Sequence, residues 1–124
     1  MIYLDTHTVV FLYLGDVSRL GLAAREAIEK NDLFISPAVA LELEYLHEIG
    51  RLSPAAMEVI EDLGDRIGLA VCDLSFRTIV RQALSEAWSR DPFDRLIVAH
   101  AKAQRAPLVT RDERIRENYR AVIW

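Results

Sequence analysis

Residues 91–112 have the sequence DPFDRLIVAHAKAQRAPLVTRD, which predicts a buried helix followed by a buried strand. Asp91-Pro92 is a typical helix start, with an aspartate as N-cap and a proline at the first helical position. The helix that follows is apolar enough to be mostly buried, and Ala106-Pro107 ends it before the strand 108–110. This stretch therefore predicts one helix–strand unit of an α/β fold.

The same alternation of strands and helices continues through the rest of the chain. Short β-prone runs predict strands at 2–4, 33–35, 69–72 and 121–123, with Thr6 as the N-cap after the first. Helices are predicted at about 8–14, 21–30, 38–49, 53–63 and 75–89. Because parallel neighbours need crossover connections, we expect a three-layer α/β/α sandwich with a mainly parallel central sheet. Without a repeat or a linker-like stretch, a single domain spanning 1–124 is predicted.

Length and composition limit the class of protein. A chain of 124 residues with 52% hydrophobic residues is the usual size of one domain and has ample material for a core. No stretch approaches the roughly 20 consecutive apolar residues of a membrane span, and the first residues do not resemble a signal peptide. We therefore expect no membrane contact and a cytoplasmic location. The single cysteine, Cys72, cannot form an internal disulfide and is expected to pack in the core.

Basic residues are concentrated toward the C-terminus, although the whole chain carries a net charge of −4. From position 90 onward, the lysines and arginines are Arg90, Arg95, Lys102, Arg105, Arg111, Arg114, Arg116 and Arg120. They outnumber the acids of the same region, so they are either a phosphate-contacting surface or a set of solvated helix faces.

Acidic residues follow the predicted strands at positions where ligands usually collect. Asp5 ends the first strand, and Asp112 lies just beyond the strand at 108–110. Glu42 and Asp94 lie near the starts of helices that begin beside such strand ends. Each acid alone could cap a helix or face solvent. If the four converge, two like charges at 4 Å cost about 4 kcal/mol at an effective dielectric near 20, so the cluster needs a cation or protons.

The kinds of ligand in this cluster select the metal and the chemistry. Carboxylate oxygens with no cysteine or histidine partner suit Mg²⁺ or Mn²⁺ and not zinc. Such ions polarise a phosphodiester and neutralise the departing oxygen, so no protein nucleophile is required. The absence of a glycine-rich phosphate loop and of zinc-ligand spacing agrees with this interpretation. His7, two residues after Asp5, is either a substrate or second-layer contact or a local packing residue.

Four segments together resemble those of PIN domains in order and in spacing. They are Tyr3-Leu4-Asp5-Thr6-His7, Ser36-Pro37-Ala38-Val39-Ala40-Leu41-Glu42, Asp91-Pro92-Phe93-Asp94-Arg95-Leu96-Ile97-Val98-Ala99 and Leu108-Val109-Thr110-Arg111-Asp112. The stretch Asp-Pro-Phe-Asp-Arg is the most specific, because it is similar to that of a bacterial subgroup, the VapC toxins. The resemblance covers essentially the whole chain.

The resemblance implies a role for each matching residue. It implies that Asp5, Glu42, Asp94 and Asp112 are the catalytic, metal-binding acids. The supporting residues that it implies are Thr110, which helps to orient the site, Asp91 as an extra acid, and Thr6. Arg95 and Arg111 are candidates for substrate contacts, although the sequence does not place them.

The resemblance also implies an activity and partners. It predicts a Mg²⁺- or Mn²⁺-dependent endoribonuclease with RNA as substrate, which forms a homodimer and is inhibited by a small cognate antitoxin protein. The alternative is a catalytically idle PIN-like module that binds a partner protein or RNA. A phosphohydrolase with an aspartyl intermediate needs a second aspartate two residues after Asp5, where this chain has His7.

Overall fold

The computed structural model describes residues 1–124 and contains a five-stranded sheet in which every neighbouring pair is parallel. The strands are β1 (Ile2–Leu4), β2 (Leu33–Ile35), β3 (Ala70–Val71), β4 (Leu108–Val109) and β5 (Val122–Ile123). The helices are α1 (Thr6–Leu14), α2 (Leu22–Lys30), α3 (Pro37–Glu48), α4 (Ala56–Ile67), α5 (Phe76–Ala83), α6 (Pro92–Ala103) and α7 (Glu113–Asn118), with a 3-10 turn at Val17–Arg19. The predicted α/β/α architecture with a parallel central sheet is confirmed.

The order of the strands brings the ends of β1 and β4 together in the middle of the sheet. The order is β3-β2-β1-β4-β5, so the chain moves outward in one direction from β1 and later returns to its other side. Tyr3 of β1 is in register with Phe34 on one side and Leu108 on the other. This is the topological switch point at which open α/β sheets usually bind ligands.

Helix starts follow the predicted signals at α3 and α6. Ser36 caps α3 by accepting a hydrogen bond from the Ala38 amide at 3.0 Å, and a proline occupies the first helical position. The start of α1 differs from the prediction. Asp5 caps it and not Thr6, since Asp5 Oδ1 accepts from the Thr8 amide at 2.8 Å, and the helix begins two residues earlier.

The predicted limits of α4 are shifted toward the C-terminus. The helix was expected at 53–63, but it begins at Ala56 and continues to Ile67. Its first buried residue is Ala56, and it ends at Gly68, whose φ of 73° provides the left-handed cap. Burial of one helix face against the core therefore sets these limits, and the Ser53-Pro54 signal does not.

The prediction that α5 extends to Ser89 is wrong, because the helix ends at Ala83. The Arg95 guanidinium donates two hydrogen bonds to the Ala83 carbonyl, at 3.2 and 3.0 Å, and so satisfies the end of the helix. Just beyond, Glu86 is buried, with its carboxylate 2.7 Å from the Lys102 ammonium and 2.6 Å from the Trp88 indole nitrogen. These contacts, made by α6 and by residues 84–91 between α5 and α6, end the helix at Ala83 and fix the conformation of residues 84–91.

A continuous apolar core joins the sheet to its covering helices. Strand β1 is buried along its whole length, with Ile2, Tyr3 and Leu4 at 2% exposure or less. Cys72 is a buried free thiol within this core, which confirms its predicted packing role. No helix has both the length and the apolar character needed to cross a lipid bilayer.

Candidate active site

A cavity of about 490 Å³ lies at the carboxyl ends of β1 and β4. Its lining contains six carboxylates and one guanidinium. The lining residues are Asp5, Thr6, His7, Glu42, Asp91, Asp94, Ile97, Arg111, Asp112, Glu113 and Ile115. The four acids predicted to be catalytic therefore lie around one cavity, together with the predicted extra acid at position 91.

Three of these carboxylates also cap helices. Asp5 Oδ1 accepts from the Thr8 amide, Asp112 Oδ1 accepts from the Ile115 amide at 3.0 Å, and Asp91 Oδ1 accepts from the Phe93 amide at 2.8 Å. In each case the second oxygen, Oδ2, accepts no hydrogen bond from the protein. Capping holds each side chain in place, and the positive helix N-terminus stabilises its charge. One oxygen of each remains for a ligand.

Glu42 is positioned by α3 and by a contact with α1. The Thr6 hydroxyl donates a hydrogen bond to Glu42 Oε1, so Thr6 supports the acid directly. Burial raises the pKa of Glu42 above its ordinary value, the hydrogen bond from Thr6 opposes that rise, and the charge of Asp91 adds to it. The ionised form of Glu42 is therefore costly in the absence of a cation.

The effect of burial and of repulsion among the acids is clearest at Asp94. Burial raises its pKa, and the charges of the surrounding acids raise it further, to about 7. Those acids, in order of effect, are Asp91, Asp112, Glu42 and Asp5. Asp94 lies in the first turn of α6 and its carboxylate accepts no hydrogen bond within the protein, so no hydrogen bond offsets this rise in pKa. Near neutral pH, Asp94 exchanges a proton with solvent in the metal-free protein.

The donor set of the cavity fits a hard divalent cation. Every carboxylate offers oxygen, and the only histidine in the lining is His7. No three of the acidic, histidine or cysteine side chains are gathered at metal-binding distances. Like charges without a cation repel one another, so a bound cation would favour a closer approach of these carboxylates.

Thr110 lies behind the cavity wall and not in it. It is fully buried at the end of β4, and its Oγ1 accepts a hydrogen bond from the Asp112 amide at 3.1 Å. This contact fixes the turn that carries Asp112, in keeping with the orienting role expected for Thr110.

The two candidate arginines have different environments. Arg95 does not line the cavity, since its guanidinium donates to the carbonyls of Ala83, Leu84 and Ser89. These contacts give Arg95 a structural role at the end of α5, and its role toward substrate stays a prediction. Arg111, in contrast, lines the cavity and is exposed.

Sequence reasoning missed Glu113 as a cavity residue. It directly follows Asp112 and lies in the first turn of α7, beside the same end of the sheet. That position, directly after Asp112, was the available signal. Ile97 and Ile115 complete the lining with apolar contacts and carry no chemistry of their own.

Comparison with known proteins identifies the family. The family model for the PIN domain matches residues 2–121. The chain belongs to the PIN domain family. A curated relative of this PIN domain is Ribonuclease VapC22 from Mycobacterium tuberculosis, 31% identical over 121 residues, which cover 94% of this chain and 91% of the relative.

Solved structures share the fold of this PIN domain. A chain of DNA-bound VapBC from Salmonella typhimurium has a TM-score of 0.66 and 23% identity, with 98% of this chain and 96% of that chain covered. A toxin–antitoxin complex from Klebsiella pneumoniae contains a chain with a TM-score of 0.65 and 17% identity, covering 100% and 97%. At these identities the similarity establishes the fold.

Proposed function

We propose that this protein is a metal-dependent endoribonuclease that hydrolyses RNA phosphodiester bonds and acts as the toxin of a toxin–antitoxin pair. The observation that carries the proposal is that six carboxylates line one cavity at the switch point of the sheet. Membership of the PIN family and similarity to Ribonuclease VapC22 support the nuclease activity. Residues 1–124 are proposed to form one PIN-like domain.

Four acids are proposed to hold Mg²⁺ or Mn²⁺: Asp5, Glu42, Asp94 and Asp112. When bound, the ion supplies charge neutralisation and Lewis acidity at the scissile phosphate. Asp5 and Asp112 offer an oxygen that is already oriented by helix capping. Asp94 must release its proton before it can act as an ionic ligand at neutral pH. Glu42 is held by the Thr6 hydroxyl.

The remaining cavity residues are proposed to support the site. Asp91 adds negative charge beside Asp94, and Thr110 fixes the turn that carries Asp112. Ile97 and Ile115 limit the access of water around the acids.

A cognate antitoxin and a second copy of this chain are the proposed protein partners. The antitoxin is proposed because the similar solved structures are VapBC and other toxin–antitoxin complexes. The homodimer is supported by exposed apolar side chains of α3, Leu41 and Tyr45, and by that of Ile49, which caps the helix, at a spacing of four residues. Light scattering at micromolar concentration tests the dimer, since a monomeric mass would contradict it. We place the protein in the cytoplasm, where its proposed RNA substrate is found.

Cleavage of total cellular RNA tests the function. Purified protein with Mn²⁺ should cut RNA at a few sites, and EDTA should abolish cutting. Glu42→Gln should lower the rate at least about a hundredfold, because a bound metal lowers the activation barrier by several kcal/mol. Glu48→Gln is the matched control on the same helix, because Glu48 is exposed and outside the cavity.

The same assay decides between the enzyme and a catalytically idle binding module. RNA left intact by the wild-type protein with Mn²⁺ would favour the idle module. Equal rates for Glu42→Gln and Glu48→Gln would contradict the assignment of the acids.

A further inference from the structure

Half of the eight basic side chains of the C-terminal region are engaged within the protein. Four of them donate to carbonyl oxygens or to a buried carboxylate: Arg90, Arg95, Lys102 and Arg114. The other four, Arg105, Arg111, Arg116 and Arg120, form no side-chain hydrogen bond or ion pair within the protein. A contact with RNA phosphate must therefore come from a smaller group of cations.

Arg111 is the one arginine in the lining of the acidic cavity, and it pairs with no carboxylate within 4.0 Å. Asp112 and Glu113 follow it directly in the sequence, yet neither forms an ion pair with it. The guanidinium carbon instead lies 5.3 Å from the centroid of the Phe11 ring. This distance is within the roughly 6 Å range of a cation–π contact. The charge of Arg111 is thus held in place and remains free to bind an anion.

Phe11 provides a rigid support for this contact. The ring belongs to α1 and is 4% exposed, so packing fixes its orientation. Arg19 also approaches the ring, with its guanidinium carbon 5.5 Å from the centroid, while its Nε lies 2.9 Å from Asp16 Oδ2. Two guanidinium groups therefore lie against one buried ring beside the cavity.

The charge of the cavity explains why such a cation is needed. An RNA phosphate that approaches the acids meets six carboxylates and one guanidinium. Each like-charge pair at 4 Å costs about 4 kcal/mol at an effective dielectric near 20. A planar guanidinium presents paired N–H donors that match the oxygens of a phosphate.

We propose that Arg111, held against the Phe11 ring, binds a phosphate of the RNA backbone next to the scissile phosphate. This inference rests on the proposed ribonuclease function and assigns the part of the site that holds the substrate. Arg111 is a substrate-binding residue, and Phe11 positions it.

Binding of a short fluorescein-labelled single-stranded RNA tests the inference. Fluorescence anisotropy is measured with Mn²⁺ at several salt concentrations, on protein that carries Asp94→Asn so that the RNA is not cut. Adding Arg111→Gln should raise Kd about tenfold near 100 mM salt and reduce the slope of log Kd against log salt by about 0.7, because one phosphate contact is lost.

Two further variants control for charge and folding. Arg120→Gln removes the same charge from an exposed residue outside the cavity, and it should leave Kd and the salt slope unchanged. Arg111→Lys should restore the slope but only part of the affinity, because the charge returns without the planar fork. Melting temperatures close to that of the parent should accompany every variant.

Three results would overturn the inference. The first is an equal Kd and slope for Arg111→Gln and Arg120→Gln. The second is tighter Mn²⁺ binding by Arg111→Gln with an unchanged salt slope, which would mean that Arg111 only neutralises the acids. The third is no RNA binding by the parent protein. Failure of the proposed function is separate, because it appears as intact RNA in the cleavage assay of the wild-type protein.

Discussion

Replacement of Asp94 by asparagine should stabilise the metal-free protein while abolishing its activity. Burial and four neighbouring acids raise the pKa of Asp94 from 3.8 to about 7. A pKa raised from 3.8 to about 7 corresponds to about 4 kcal/mol. Asp94 is only partly buried, and solvent screening reduces that figure to on the order of 1–2 kcal/mol. Asp94→Asn keeps the shape of the side chain and removes the charge, so this amount should be recovered.

The sign of the pH dependence follows from the direction of the shift. Between about pH 4 and pH 7 the folded protein binds the Asp94 proton more tightly than the unfolded chain, so stability falls as the pH rises through this range. The gain from Asp94→Asn should therefore be largest above about pH 7 and should shrink toward about pH 4.

Urea unfolding in EDTA, followed by circular dichroism at about pH 8 and about pH 5, measures this gain. Glu61→Gln is the control, because it removes an exposed carboxylate of α4 outside the cavity and should change stability little. The reasoning is refuted if Asp94→Asn is less stable than wild type at about pH 8, or if its gain is independent of pH.

Three other predictions concern metal binding, a buried ion pair and a close approach. Mn²⁺ should raise the melting temperature more at about pH 8 than at about pH 6, because its binding displaces the Asp94 proton; equal shifts would contradict this. Burial raises the pKa of Glu86, but hydrogen bonds from Lys102 and Trp88 outweigh burial and lower the pKa. Glu86→Gln should lower the free energy of unfolding in urea by about 2–4 kcal/mol near pH 7. This loss of stability should shrink as the pH falls below about 4.5. Gly21→Ala should destabilise the protein by about 1–3 kcal/mol, because the added Cβ would lie 2.5 Å from the Trp124 carbonyl carbon. Gly64→Ala, within α4, should instead stabilise the protein by about 0.5–1 kcal/mol in the same assay.

The sequence was a good guide to the fold where the signals are local. Ser36-Pro37 and Asp91-Pro92 marked the starts of α3 and α6, since capping depends on neighbouring residues alone. The end of α5 was missed because it depends on Arg95, which is 12 residues away along the chain. The order of strands in the sheet was also beyond reach, because pairing partners lie far apart in sequence.

Prediction of the candidate site was limited in the same way. The ends of β1 and β4 identified Asp5 and Asp112, because parallel strands place their carboxyl ends at one edge. The environments of Arg95 and Arg111 were not predictable, since an arginine side chain reaches across several elements. Only the structure shows that Arg95 caps the end of α5 and that Arg111 lines the cavity.

Three aspartates are both helix caps and cavity acids, and this affects how the sequences of related proteins diverge. In a descendant that has lost nuclease activity, selection for folding alone would still retain Asp, Asn or Ser at positions 5, 91 and 112, since a lost cap costs about 1 kcal/mol. Glu42 and Asp94 cap nothing and are costly to ionise, so those two positions are free to drift. Among related sequences, the residues at positions 42 and 94 therefore distinguish active from inactive proteins better than the aspartate at position 91 does.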